Sequence, residues 1–104
     1  MQAGWHTTLT MSLSLDAVKT HLRIQHDEED EYLKGLVRQA QAAAEDFCRV
    51  SLEENTPEPA VLAMLLMIGH YYENRDNPDK QAYIAMRMAF ESLLYPHRDE
   101  AKMF

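Results

Sequence analysis

Between Glu28 and Arg49 the apolar residues Leu33, Leu36, Val37, Ala40, Ala43, Ala44 and Phe47 recur at helical spacing, while Lys34, Arg38, Glu45 and Arg49 fall mostly off that stripe. The segment therefore predicts a long amphipathic helix with one face turned to a core. A helix of this kind needs other elements to cover its stripe. Upstream, Ser14 is placed to cap a short helix over Leu15 to Arg23, in which Leu15, Val18 and Leu22 share a face, and Ile24 packs back on the core after the break. Downstream, "AVLAMLLMIG", Ala60 to Gly69, lies in a third helix from about Pro59 to Arg75 that is apolar almost all the way round. Such a helix is either central in its fold or covered by a neighbouring subunit.

"RDNPDK" ends the third helix, with Asn77 and Pro78 as turn residues. Tyr83, Met86, Phe90, Leu93 and Leu94 then mark a fourth, which stops near Tyr95 because Pro96 disfavours helical geometry before it. No strand-like alternation persists, and no internal repeat is present. The expected fold is all-α: a small bundle of about four helices, one short, two long and a shorter C-terminal one, with no sheet. A chain of 104 residues suits one domain, read here as residues 13–98 between a flexible arm at 1–12 and a tail at 99–104.

The longest apolar stretch is about half the roughly 20 residues that span a bilayer, and the N-terminus has no basic region followed by an apolar core. Neither a membrane span nor a secretory signal is expected. Cys48 is the only cysteine, which excludes an intramolecular disulfide and suits a reducing compartment. It reads as a buried small apolar residue rather than a nucleophile. The net charge of −7 argues against gripping nucleic acid through its phosphates, which takes a basic patch.

Five acids in a row, Asp27 to Glu31, interrupt this pattern. Asp27 is placed to cap the long helix, and the acids behind it meet the partial positive charge of the helix start. "SLEENTPEP" reads as a loop in which Thr56 caps the third helix and Pro57 or Pro59 occupies its first turn. His21 with His26, and His70 with Glu73, lack the spacing of a zinc site, and the acid run lacks the glycine and terminal glutamate of a calcium loop. No G-x-S-x-G and no Gly-rich phosphate loop occurs. The chain is read as not an enzyme, with no metal and no cofactor. Tyr71, Tyr72 and Arg75 form either an interaction cluster or an ordinary pair with one tyrosine in the core and one at the surface. Met64, Met67, Met86 and Met88 read as core fillers.

The order of features resembles the small head–tail connector family of long-tailed bacteriophages and prophages, whose members are also labelled DNA packaging proteins. The likeness rests on Leu22-Arg23-Ile24, the acidic start at Asp27 to Glu31, the segment Tyr71 to Arg75, and Leu93-Leu94-Tyr95-Pro96-His97-Arg98. It runs from Leu13 to Arg98, and "DKQAYIAMRMA" stands outside its motifs. The resemblance implies a structural subunit at the virion head–tail junction, made in the host cytoplasm. About a dozen copies would close a ring through heterologous contacts beneath the portal protein. That ring would extend the DNA channel, pass DNA without specific binding, and dock the tail or a head-completion protein. Tyr71, Tyr72, Arg75, Tyr95 and Arg98 are the candidate contacts with a neighbour or the portal. Asp27, Glu28, Glu29, Asp30 and Glu31 are candidate channel-lining acids, with Glu53, Glu54 and Glu58 as a second set, since like charge keeps DNA off a wall.

Two other readings compete. A small helical regulator would bind one protein partner as a monomer or dimer through Tyr71, Tyr72 and Arg75. A helix-turn-helix DNA-binding protein would push "DEEDE" toward the phosphates, which disfavours it.

Overall fold

The computed structural model describes residues 13–50, 52 and 56–98. The expected arm at 1–12, the tail at 99–104, and Glu53 and Glu54 lie outside the described residues. Among the described residues four helices follow one another: α1 (Leu15–Leu22), α2 (Asp30–Cys48), α3 (Glu58–Glu73) and α4 (Lys80–Leu94), and a 3-10 turn covers Tyr95–His97. No strand occurs among the described residues. The expected all-α, four-helix fold is the one observed.

Local chemistry sets most of the boundaries. The Ser14 hydroxyl accepts the Ala17 N–H at 3.1 Å and starts α1. At its other end Arg23 takes a left-handed backbone (φ 61°), and the N–H groups of Arg23 and Ile24 return to the Thr20 and Lys19 carbonyls. This paired closure ends the helix and turns Ile24 back against the core, as expected. α2 also ends on a left-handed residue, Arg49 (φ 63°), whose N–H returns to the Glu45 carbonyl.

Three helix starts differ from expectation. α2 begins at Asp30, and Glu29, the residue before it, makes no side-chain cap bond. Asp27 lies too far upstream to cap; its carboxylate is held by Lys19 instead. Thr56 does not cap α3, because its hydroxyl donates to the Leu52 carbonyl within the preceding loop. The carbonyl of Pro57 takes over by accepting the Ala60 and Val61 N–H groups, and Pro59 sits in the first turn, where a missing N–H leaves no bond unmade. α4 starts three residues before its first apolar marker, since the Asp79 carboxylate accepts from the Gln81 and Ala82 N–H groups.

α3 packs against each of the other three helices and forms the centre of the fold. Its buried side, Ala60, Ala63, Met64, Met67 and Ile68, meets the core from α2 (Leu33, Leu36, Ala40, Ala44, Cys48) and α4 (Met86, Phe90, Leu94). Alanines on both α2 and α3 let two helices in contact approach closely. Cys48 is fully buried, and burial pushes its thiol up. Of the four methionines expected as core fillers, three are buried, whereas Met88 is 67% exposed.

Phe90 is fully buried among these helices. Phe90→Ala is expected to lose about 3–5 kcal/mol in urea unfolding, and Met88→Ala to stay within about 0.5 kcal/mol of the wild type.

Candidate functional site

The acid run occupies the turn between α1 and α2, where three of its carboxylates have partners outside the run and two of these, Glu29 and Asp30, are partly buried. Lys19 of α1, its side chain only 13% exposed, places Nζ 2.5 Å from Asp27 Oδ1 and 2.8 Å from Asp30 Oδ1. These hydrogen bonds raise the Lys19 ammonium above its ordinary pKa and lower the Asp27 carboxyl below its own. α1 is thereby fastened to the start of α2.

Glu29 reaches the other way, toward the end of α3. The Tyr72 hydroxyl donates to Glu29 Oε1 at 2.6 Å, and Arg75 Nη1 lies 2.5 Å from Glu29 Oε2. The Arg75 guanidinium also stacks over the Tyr72 ring at 4.6 Å and the Tyr32 ring at 5.3 Å. The Tyr72 hydrogen bond and then the Arg75 charge hold the Glu29 carboxyl below its ordinary range, while the same bond pushes the Tyr72 phenol up. The carboxylates of Glu28 and Glu31 remain exposed, Glu31 in a surface pair with Lys34 at 3.2 Å that adds little stability.

The sequence candidates therefore fall into two places. Asp27 to Glu31, Tyr71, Tyr72 and Arg75 converge where the start of α2 meets the end of α3. Tyr71 is half-buried there, its hydroxyl raised by burial and its ring edge-on to His70, which also faces Tyr83 at 5.8 Å. Tyr95 and Arg98 lie apart, at the C-terminal turn, with Arg98 over Phe47 at 4.6 Å and over the 57% exposed Tyr95 at 5.6 Å.

Lys19, Tyr32 and Tyr83 were not among the candidates. For Lys19 a signal existed, since it lies four residues after Leu15 and three before Leu22, on the apolar stripe of α1. For the two tyrosines no local signal distinguishes their part.

A second feature is a set of open apolar side chains on α3 and α4. Leu62 and Leu66 on α3 are 48% and 37% exposed, and Ile84 and Met88 on α4 are 45% and 67% exposed. Among the described residues no group of three or more His, Cys, Asp or Glu is arranged to hold a metal, and no helix is long and apolar enough to cross a membrane.

Fold and surface together define a small helical domain built round a central helix that the described residues cover incompletely. The chain belongs to the phage gp6-like head–tail connector proteins, whose family model matches residues 12–100. No curated protein and no solved structure matches it. The family is a structural one and assembles with other phage head and tail proteins at the head–tail junction.

Glu29 and Asp27, with ordinary pKa values of 4.5 and 3.8, are both lowered in the fold. Their contribution is complete above those values and is lost as pH falls through the lower folded ones. Glu29→Gln should therefore melt at a lower temperature than the wild type near pH 7. The gap should close as pH falls below the ordinary carboxylate range and through the lowered folded pKa, where the wild-type carboxyl is itself protonated. Glu28→Gln should melt like the wild type throughout.

Proposed function

We propose that this chain is the repeating subunit of a closed ring seated beneath the portal protein, in which about a dozen copies extend the DNA channel and present the surface on which the tail or a head-completion protein docks. The observation that carries this reading is the connector family's match over residues 12–100. The open apolar side chains of α3 and α4 support it, because a ring subunit needs surface for two neighbours. Residues 13–98 are the ring-forming domain in this reading. The subunit is made in the host cytoplasm and ends at the head–tail junction of the virion.

Asp27 to Glu31 face the channel, with Asp27, Glu28 and Glu31 as the exposed acids, while the ion pairs and hydrogen bonds of Asp27, Glu29 and Asp30 hold the turn in shape. A negative wall repels the phosphates and lets DNA slide without specific binding. The contacts with a neighbour or the portal draw on Tyr71, Tyr72, Arg75, Tyr95 and Arg98. Tyr95 offers the most open ring of the three tyrosines.

Absolute mass by light scattering, with electron microscopy of the protein alone and mixed with its portal, tests the assembly. A ring of about a dozen subunits with a central hole is the expected result. A monomer or dimer in both conditions would overturn it in favour of the small-regulator reading. For the channel wall, E28K/E31K rings should retain DNA in a mobility shift at low salt and release it as salt rises, whereas wild-type rings show no shift. Rings of the variant that ignore DNA at low salt would remove the acid run from the lumen.

A further inference from the structure

α1 is the helix with the smallest hold on the core. Among its residues only Val18 is buried, whereas α2 and α3 each bury five side chains and α4 three. Its eight residues are also too few to stay helical alone, since isolated helices shorter than about 12–15 residues are marginal in water. Leu22, its last apolar residue, rests over Gly69 of α3, with Cδ2 3.6 Å from where a Cβ on that glycine would stand. On the side toward α4 an open groove is bordered by His21, Leu22, Gly69 and Met86.

Polar contacts supply what this shallow seat lacks. The Lys19 ammonium joins α1 to Asp27 and Asp30 at 2.5 and 2.8 Å. Glu29, between those two acids, is held to the end of α3 by Tyr72 and Arg75. The connection from α1 to these fastenings starts at the left-handed Arg23 and runs through the exposed Gln25 and His26. A segment with few buried apolar side chains and an exposed connection lies at the low end of the local stability scale.

We propose that residues 13–24 form a strap that opens as a unit while α2, α3 and α4 stay folded, and that the Lys19 ammonium is its latch. Opening uncovers Gly69 and leaves Asp27 and Asp30 without their cation, so the acid run is most negative when the strap is open. Docking of α1 and the charge of the turn are therefore coupled through one side chain. The strap belongs to the single chain and does not depend on ring formation.

Hydrogen exchange of the full chain, read peptide by peptide by mass spectrometry in urea below the unfolding transition, tests the strap. Amides of residues 18–24 should exchange together, faster than the slowest amides of α2, α3 and α4. Their urea slope should be smaller, because opening the strap exposes less surface than unfolding the chain. Phe90→Leu, a change in the core side of α4, should speed the slowest amides of α2, α3 and α4 and leave those of α1 as they were. Lys19→Met keeps an apolar stem and removes the charge, and Asp27→Asn/Asp30→Asn removes the other side of the latch. Each is expected to speed α1 exchange roughly tenfold, and the two combined should do little more, since both break the same contact.

If the α1 amides share the rate and urea slope of the other helices, or Phe90→Leu speeds them equally, α1 unfolds only with the whole chain and the strap is overturned. Early opening of α1 that neither charge variant changes removes Lys19 as the latch. Fully additive effects in the combined variant place Lys19 and the two acids in separate contacts, and overturn the latch as well.

Discussion

An apolar helix in a short chain has to be surrounded, and the described residues surround α3 in part. α1, α2 and α4 each pack against it, and its buried residues include Met64 and Ile68 at the middle of the core. Leu62 and Leu66 face outward, because the three partners leave one long side of the helix open. Burying a leucine side chain is worth about 1.5–3 kcal/mol relative to exposing it. Open leucines on the central helix are thus a standing drive toward association, and this links the architecture of one chain to its membership of a family that works by assembly.

The second organising contact is polar. The α1–α2 turn brings five carboxylates close together, which by itself is unfavourable through like-charge repulsion. Lys19 takes up Asp27 and Asp30, and Tyr72 with Arg75 takes up Glu29. The run therefore does two jobs in one short segment. Three of its carboxylates tie α1 and α3 to the start of α2, and the exposed acids Asp27, Glu28 and Glu31 give the turn its negative surface.

Much of the helix pattern was legible because it depends on periodicity and short-range chemistry. The stripe from Leu33 to Phe47, the Ser14 cap, the buried Cys48 and the stop before Pro96 are all settled by residues within a turn or two of one another. The misread starts involve competition for the same groups. Asp27 looks like a cap until Lys19 is folded against it, and Thr56 looks like one until the Leu52 carbonyl comes within reach. Asp79 was overlooked because the apolar markers of α4 begin later, at Tyr83. The clasp of Glu29 by Tyr72 spans 43 residues, a separation at which sequence spacing carries no register.

The sequence by itself determined that the chain is helical, where its helices lie to within a few residues, and that the third is apolar almost all the way round. Those properties follow from the helical repeat and from side-chain polarity, both of which act locally. The tertiary structure alone decided which side of α3 is covered, which acids are neutralised within the chain, and that Met88 lies outside with Ile84 while Met86 lies within. Each of these depends on how helices distant in sequence are oriented about one another, and that orientation is fixed only when their apolar faces and charged partners meet.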